Sequence, residues 1–429
     1  MNYTGYVQPV TFKITVFVLV FIVCSCLLFT GAFAKIYIDI TSPALRKLPI
    51  AIFDFQGPSG KEIAEIIRDD LIFTGLFMYI DKSSYIEPAS QPFNPLNWTP
   101  LGIEAVIKGT VQKEQNISVD VFLYDTFRAS EIFHKRYNAE STLLRQLAHG
   151  IANDVYQALT GKPGIFRSRI AFVGEDGNRK GIYIMDWDGE RIKKFGLKGS
   201  MVLAPHWSKD GKQIIYSAER NRKWGVYLIN FLRMTEKKIY SAKGTNIAGD
   251  FFPDANAFVL SSSQRGTPDL FTYDILRKKL RRITSSSGIE VSPTVSPDGA
   301  HIGFVSDRGG SPQIYVMNRN GSDIRRITFE GSYNTSPNWS PKGDRIAFSG
   351  RRAGKNQIFT LRPDGTDLTQ LTQYGNNEEP SFSPDGRYIT FSSDRGGRKG
   401  IYIMRANGEA QKKISPKWLK AYGPRWSPQ

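Results

Sequence analysis

A tetrapeptide resembling Ser-Pro-Asp-Gly recurs along the second half of this 429-residue chain. The six copies begin, at steps of 44, 44, 44, 43 and 44 residues, at Ser208, Phe252, Ser296, Ser340, Ser383 and Ser427. An apolar or aromatic residue precedes each copy, Pro presets the turn, and a short apolar strand follows most copies. A period in the forties that contains only strand and turn signals is typical of a four-stranded propeller blade. The sequence therefore predicts a six-bladed, all-β propeller.

The two ends of the repeat array predict how the ring closes. Ile170–Val173 matches the strand that follows a turn, but no turn motif precedes it. Its missing inner strand stands at the other end of the array, where Gly423–Pro428 provides the anchor Trp426 and the turn. Pairing these segments completes six blades and leaves no open sheet edge. We therefore expect strands from both ends of the repeat region to close the propeller.

Residues 1–34 have the three parts of a secretory signal peptide: Lys13, an apolar run over Ile14–Phe29, and Ala32-Phe33-Ala34 before Lys35. An uncleaved membrane anchor is the alternative, because the run is near the lower length for a spanning helix. A lipid anchor at Cys26 is a further alternative. Both cysteines of the sequence lie in this segment. A cleaved chain would be exported and would contain no thiol.

Residues 35–161 predict an α/β domain that precedes the propeller domain at 162–429. The expected elements are a strand over Pro49–Phe55, a helix that begins near Ser59, a hairpin over Val106–Gln112 and Ile117–Asp125, and a helix over Thr142–Leu159 that ends at Gly161. Ser59 and Glu62 have the spacing of a capping box. The joint between the domains is too short for free tumbling, so we expect them to hold a preferred orientation.

The formal net charge of +17 raises the question of an anionic partner. Many basic residues of the repeats fall on the fourth predicted strand of a blade, such as Arg325 and Arg326 or Lys412 and Lys413. Cations on exposed strand edges oppose edge-to-edge pairing, which explains them structurally. Attraction to anionic envelope surfaces is the alternative. A nucleic-acid partner is not expected, because no stacking module is visible.

Signals for catalysis are missing from the sequence. The histidines form no His-x-x-x-His pair, and no Gly-x-Ser-x-Gly elbow occurs. The aspartates of the motif turns repeat at blade period, so a closed ring separates them too widely for an acid/base pair. We expect no catalytic residue, metal or cofactor, and the alternative is an exported propeller hydrolase with an unrecognised site. The histidines and turn aspartates are His134, His149, His206, His301, Asp210, Asp254, Asp298 and Asp385.

The chain resembles the TolB family, the periplasmic propeller proteins of the Tol-Pal system in Gram-negative envelopes. The segments that carry the resemblance are Pro49–Ile52, Gly109–Val111, the joint Leu159–Gly161 through Phe166 to Val173, the six-copy array, and Trp426–Pro428. The resemblance implies a non-catalytic, monomeric scaffold in the periplasm. Its implied partners are the Pal lipoprotein, TolA and other outer-membrane proteins, and its implied role is outer-membrane integrity and constriction at cell division.

In this family the lipoprotein covers one mouth of the propeller and contacts residues just before the inner strands. Carried over by the repeat register, these positions are Thr245, Asn246, Ala248, Val291 and Ser292. The family's usual histidine is Thr245 here, and its Thr-Glu pair is Val291-Ser292. Further candidates on the same mouth are Tyr333, Asn334, Asn377 and Glu378. The alternative interpretation is that these are polar rim residues with no partner.

The resemblance also implies that the mature N-terminus engages TolA. The segment consists of Lys35, Ile36, Tyr37, Ile38, Asp39, Ile40 and Thr41. Its alternating pattern suits addition as a strand to a partner sheet. It could equally be an edge strand of its own domain, and competition between the two uses would give a switch driven by partner binding.

Overall fold

The computed structural model describes residues 46–177, 179–199 and 201–428. The predicted signal peptide and the predicted TolA-binding segment lie outside the described residues. Within the described ranges, no helix is both long and apolar enough to cross a membrane.

In the described part of the chain, the N-terminal domain is a five-stranded sheet with two α-helices. Its elements are β1 (Leu48–Ile52), α1 (Gly60–Phe73), β2 (Phe77–Tyr79), β3 (Ala105–Lys113), β4 (Asn116–Asp125), β5 (Ser130–Glu140) and α2 (Leu144–Thr160). Short 3-10 turns cover Lys82–Ser84, Pro95–Asn97, Thr99–Leu101 and Ser141–Leu143. The strand order is β2-β1-β3-β4-β5, with β1 parallel to both of its neighbours. A small α/β region therefore precedes the propeller, as predicted.

Helix α1 follows the predicted apolar pattern but not the predicted cap. Ile63, Ile67 and Leu71 are fully buried and pack in one core with α2 and the sheet. The capping box is wrong, because Ser59 has a φ of 63° and its side chain makes no capping hydrogen bond. An N-cap side chain reaches the first turn from extended backbone, which Ser59 does not adopt. Burial of the apolar stripe, rather than the cap, therefore fixes the position of this helix.

Six four-stranded sheets follow, and each is one blade. Blade 1 contains β6 (Arg169–Asp176), β7 (Arg179–Asp186) and β8 (Lys193–Gly199). Blade 2 contains β9 (Met201–Trp207), β10 (Gln213–Arg220), β11 (Lys223–Asn230) and β12 (Thr235–Tyr240). Blade 3 contains β13 (Asn246–Phe251), β14 (Ala257–Ser262), β15 (Asp269–Asp274) and β16 (Lys279–Arg282).

Blade 4 contains β17 (Glu290–Val295), β18 (His301–Ser306), β19 (Gln313–Asn318) and β20 (Arg325–Arg326). Blade 5 contains β21 (Asn334–Trp339), β22 (Ile346–Arg352), β23 (Lys355–Leu361) and β24 (Thr369–Gln370). Blade 6 contains β25 (Asn377–Phe382), β26 (Tyr388–Ser393), β27 (Gly400–Arg405) and β28 (Lys412–Lys413). The last described strand, β29 (Lys420–Trp426), is the inner strand of blade 1.

The predicted closure of the ring is confirmed. β29 pairs antiparallel with β6, with Trp426 opposite Ile170. The Ser427 amide donates to the Arg169 carbonyl at 2.7 Å, and the Arg169 amide donates to Ser427 Oγ at 2.9 Å. The two ends of the array therefore form one blade and leave no unpaired inner edge.

Three of the motif turns are held by the same contacts between their own side chains. In the first copy, Ser208 Oγ donates to Asp210 Oδ1 at 2.6 Å and accepts from the Gln213 amide at 2.9 Å. The same contacts recur between Ser296 and Asp298 and between Ser383 and Asp385. These aspartates therefore have the structural role that the sequence predicts for them.

The alternation of strand direction gives the propeller two different faces. We call the face on which the inner strands end, and on which the motif turns lie, the turn face. We call the face on which the inner strands begin, and on which one blade is connected to the next, the connection face. The hairpin turns between the third and fourth strands also lie on the turn face, because the third strand runs in the same direction as the first.

The N-terminal domain packs on the turn face, over blades 1 and 6. Phe73 of α1 lies between Trp187 and Tyr388, with ring centroids 4.8 and 5.2 Å away. Trp187 and Asp188 form the hairpin turn of blade 1, the one Trp-Asp dipeptide of the sequence. This dipeptide therefore has a specific role in the interdomain contact.

Asp188 carries a buried charge network across the interdomain contact. Arg145 donates to Asp188, whose Oδ2 lies 3.5 Å from His149 Nε2, while His149 Nδ1 lies 2.7 Å from Asp70 Oδ2. Burial alone would lower the pKa of His149, but the hydrogen bonds and charges of Asp188 and Asp70 raise it to about 9. Burial opposes the shift at Asp188 too, yet His149 and Arg145 hold its pKa below the usual range. A charged histidine therefore joins the two domains.

Candidate docking site on the connection face

The nine propeller residues predicted from the repeat register all lie at the beginnings of inner strands, on the connection face. They come from four successive blades, because β13, β17, β21 and β25 begin at Asn246, Glu290, Asn334 and Asn377. The N-terminal domain packs on the opposite face. The predicted residues therefore share a mouth of the propeller that the described part of the N-terminal domain does not cover.

Burial divides the predicted residues into two groups. Thr245 and Ser292 are exposed, while Val291, Tyr333 and Glu378 are half-buried. The buried residues are Asn246, Ala248, Asn334 and Asn377. Only the first group presents side chains that a partner could touch directly.

The buried asparagines shape the mouth from below. Asn246 Nδ2 donates to the Ala242 carbonyl at 2.9 Å, and Asn334 Nδ2 donates to the Glu330 carbonyl at 2.9 Å. Asn377 Nδ2 makes the same kind of bond to the Tyr374 carbonyl at 2.9 Å. Each asparagine thus satisfies a carbonyl of the connection that precedes its strand, as buried polar groups require. These residues are therefore positioning groups, which would affect the binding of a partner only through the loops that they hold in place.

Each inner strand contains a bulge, at which its register on the second strand shifts. The register of β17 on β18 shifts between Val291 and Thr294, and Ser292 within the shift has a φ of 52°. Ser336 and Glu379 have the same place in blades 5 and 6, with φ values of 54° and 57°. Bulges re-aim side chains and commonly occur near functional sites.

The sequence analysis did not identify Ser336 and Glu379 as bulge residues equivalent to Ser292. The signal was present, because a proline follows the bulge residue in five of the six inner strands. These prolines are Pro205, Pro293, Pro337, Pro380 and Pro424. Glu379 Oε2 accepts from the Gly423 amide and from Ser392 Oγ, both at 2.8 Å, so it links blade 6 to blade 1 at the mouth.

Glu378 carries a negative charge at the rim. Burial alone would raise its pKa, but the ion pair with Lys399 and the hydrogen bonds from Asn356 and Asn376 outweigh burial and lower it. Asn356 Nδ2 donates to Glu378 Oε1 at 2.7 Å. The carboxylate is thus held in place before any partner arrives.

Three large aromatic or apolar side chains project from successive connections around this mouth. Phe329, Tyr374 and Trp418 are 71%, 76% and 56% exposed, and they precede the inner strands of blades 5, 6 and 1. Nearby, the Arg351 guanidinium lies 4.4 Å above the Tyr333 ring. Exposed aromatic residues with stacked arginines are the residue types enriched where proteins bind one another.

Each blade contributes one polar residue directly before its anchor residue, and these six residues form a polar ring around the channel. Its members are His206, Asp250, Thr294, Asn338, Ser381 and Arg425. Asp250 binds His206 Nδ1 at 2.6 Å and accepts from Thr294 Oγ1 at 2.6 Å. Burial opposes ionisation of Asp250, but its His206 and Thr294 partners hold its pKa below the usual range. The ring therefore joins the blades to one another.

The ring also supports the next blade through its backbone. The Val295, Phe382 and Trp426 amides donate to the side chains of Asp250, Asn338 and Ser381 at 3.0, 2.8 and 3.1 Å. On the turn face the channel widens into a cavity of about 550 Å³, lined by five of the six ring residues, the anchors and the motif prolines.

One group of possible cation ligands occurs among the described residues. His149, Asp186 and Asp188 have ligand atoms close together at the interdomain contact. Arg191 binds both oxygens of Asp186 at 2.7 and 2.9 Å, and Arg145 binds Asp188. Arginines thus already compensate these carboxylates, and the group is interpreted as an ion-pair network.

Comparison with known proteins covers both parts of the chain. A family model described as "TolB beta propeller domain" matches residues 156–429, and one described as "TolB amino-terminal domain" matches residues 36–132. The crystal structure of TolB from Acinetobacter baumannii matches with a TM-score of 0.81 at 29% sequence identity, covering 92% of this chain and 100% of that chain.

Curated relatives carry the name Tol-Pal system protein TolB. The relative from Roseobacter denitrificans is 34% identical over 228 residues, covering 48% of this chain and 51% of its own length. The relative from Polaromonas naphthalenivorans is 31% identical over 197 residues, covering 45% and 46%. The chain thus spans about half the length of the curated relatives it matches. Since the propeller family model alone covers more than half of the sequence, this chain belongs to the TolB family of the Tol-Pal system.

Proposed function

We propose that this protein is a non-catalytic periplasmic scaffold of the Tol-Pal system, whose connection face binds the Pal lipoprotein. The observation that carries the proposal is the mouth at which four inner strands begin, with Phe329, Tyr374 and Trp418 exposed beside it. Aromatic anchors around a shaped mouth favour a folded partner over a small substrate. In this role the protein would support outer-membrane integrity and constriction at cell division.

The arrangement of the polar groups supports binding rather than catalysis. Asp250 and His206 engage each other and their neighbours in the ring, and Glu379 accepts two hydrogen bonds from blades 6 and 1. Each therefore has a structural partner. An exported propeller hydrolase remains the alternative class, and activity screening on peptide and glycan substrates would separate the two.

A second partner is proposed for the N-terminal segment, Lys35–Thr41. Its alternating pattern suits strand addition to a sheet of TolA. Deleting this segment should reduce TolA binding in calorimetry, and unchanged affinity would contradict the proposal.

The proposed Pal site can be tested by titration calorimetry of the mature chain against the soluble domain of Pal from the same organism. We expect one-to-one binding of micromolar affinity or tighter. Ser292→Arg places a large side chain at the exposed bulge, and Tyr374→Ala removes an aromatic anchor; each should weaken binding about tenfold or more. Leu276→Ala, on the turn face and 75% exposed, is the matched control and should bind normally.

The outcomes of this titration separate the alternatives. Normal binding by both connection-face variants would place the partner elsewhere on the molecule. A well-folded chain that fails to bind Pal at all would contradict the scaffold proposal and reopen the search for a catalytic site.

A further inference from the structure

The hairpin turns between the third and fourth strands differ between blades. In blades 1, 4, 5 and 6 the turn contains a glycine of positive φ that lies against the preceding blade. The glycines are Gly189, Gly321, Gly365 and Gly408. A Cβ at Gly321, for example, would stand 2.1 Å from the Ile283 carbonyl oxygen. These four turns are therefore folded down onto their neighbours.

The turns of blades 2 and 3 lack this glycine and project from the turn face. They span only 231–234 and 275–278, and each is fixed by an Asx contact. The Arg233 amide donates to Asn230 Oδ1 at 3.0 Å, and the Arg277 amide donates to Asp274 Oδ1 at 2.8 Å. Two adjacent blades therefore carry short, well-held tips where the other blades carry flattened turns.

The tips of these two turns are apolar. Leu232, Met234 and Leu276 are 72%, 76% and 75% exposed, although the N-terminal domain packs on the same face over blades 1 and 6. Long aliphatic side chains this exposed on adjacent tips mark a surface that meets something apolar.

Cations surround these tips. The exposed basic residues on the two hairpins are Arg233, Lys237, Lys238, Arg277, Lys278, Lys279 and Arg281. Among the described residues, Arg277 has an ion pair, with Asp274 at 3.6 Å, and none is recorded for the other six. The hairpins therefore present a concentrated positive charge around their aliphatic tips.

We propose that this basic-apolar patch, formed by the tips and cations of blades 2 and 3, docks the protein on an anionic lipid surface. Each lysine or arginine near such a surface adds to the attraction, and the aliphatic tips enter the interfacial layer. Four of the seven cations are lysines and the exposed tip side chains are not aromatic, whereas the cores of protein interfaces are depleted in lysine and enriched in aromatic residues. The proposal goes beyond the Pal site, which lies on the opposite face.

Flotation of the mature chain with vesicles tests the proposal. We expect binding to vesicles of phosphatidylethanolamine and phosphatidylglycerol, little binding to pure phosphatidylcholine, and a decline in binding as salt is raised. The double variant Leu232→Ser, Leu276→Ser should bind at least about tenfold more weakly. Lys278→Gln with Lys279→Gln should weaken binding by a smaller factor.

The matched control is Leu96→Ser, which changes a side chain of the N-terminal domain that is 77% exposed. It should leave vesicle binding unchanged. No flotation of the wild-type chain with anionic vesicles, or equal flotation of the double leucine variant, would overturn the proposal. Loss of Pal binding by the double variant, without any vesicle binding, would assign the patch to a protein partner and also overturn it. The Pal titration and the vesicle assay thus test the two proposals independently, and one proposal can be contradicted without the other.

Discussion

The two faces of the propeller are built from the same six repeats, yet they divide the work of the molecule. The turn face is largely engaged with the protein itself: Ser and Asp side chains close its turns, four glycines fold hairpins onto their neighbours, and the N-terminal domain covers blades 1 and 6. The connection face is held from below by buried asparagines and leaves Phe329, Tyr374 and Trp418 exposed. The repeat therefore builds the ring, and departures from the repeat mark where the ring meets something else.

The largest expected effect tests whether the turn of blade 1 is specialised for the interdomain contact. Asp188→Asn removes the negative charge that faces Arg145 and His149, and leaving these cations without it should cost about 3 kcal/mol of unfolding free energy. Denaturant unfolding measures the change. The control is Asp364→Asn in the equivalent turn of blade 5, where Asp364 is exposed and binds Thr366 of its own turn. Equal losses for both variants would mean that blade 1 is not special.

The next effect compares two glycines of nearly equal φ on opposite faces. Gly321 on the turn face and Gly310 on the connection face have φ values of 92° and 94°. A Cβ would meet the Ile283 carbonyl oxygen at Gly321 but open space at Gly310. We expect Gly321→Ala to cost about 2 kcal/mol or more and Gly310→Ala about 1 kcal/mol, since the latter adds backbone strain without a clash. Similar losses in thermal unfolding would show that the close approach between blades has little weight.

The smallest effect is the pH dependence of the interdomain contact. The pKa of His149 is about 9 in the folded chain and 6.5 in the unfolded chain. The stabilisation that His149 gives the fold is therefore complete below pH 6.5 and is lost as the pH rises through 9. Burial raises the pKa of Asp70 to about 7 against the pull of His149, so its stabilisation is present below pH 3.8 and is lost as the pH rises through 7. Asp188 acts in the other direction, because its lowered pKa gives stabilisation that is lost only in acid.

The melting temperature should therefore fall between pH 6 and pH 9, and the double variant His149→Gln, Asp70→Asn should flatten this slope. His149→Gln alone removes the hydrogen bond and charge that oppose the raised pKa of Asp70, so the Asp70 part of the slope should remain. Lys399→Gln on the connection face is the control, since the Glu378 pKa it affects lies below this range. A slope that survives in the double variant would assign the pH dependence to other groups.

Much of the fold could be predicted because the period and number of the repeats determine how many blades form and how the strands are connected. Six motif copies and the unmatched strand at Ile170–Val173 were enough to predict six blades and their closure. The α/β character of the first domain followed from the apolar stripe of α1 and the alternating hairpin. The capping box failed because its pattern is satisfied by spacing alone, whereas a cap also needs extended backbone, which Ser59 lacks.

The candidate site could be predicted as a location but not as a contact surface. Repeat register placed Asn246 and Thr245 side by side, yet one is buried beneath a loop and the other is exposed. Burial depends on how each connection folds over the strand, which a period does not encode. The role of Trp187 and Asp188 was likewise hidden, because their partners Phe73 and His149 are distant in sequence and meet them only in the folded molecule.

The pairing of β29 with β6 has a consequence for the order of events in folding. Ser427 and Arg169 stand 258 residues apart along the chain and yet share a hydrogen bond. Loop closure over such a span is slow, and β6 offers an unpaired edge until the final segment has been synthesised. Blade 1 is thus both the first blade to begin and the last to be finished. A nascent chain that stalls before β29 would carry five complete blades and an unpaired β6, so the pairing of β29 protects the propeller against misassembly.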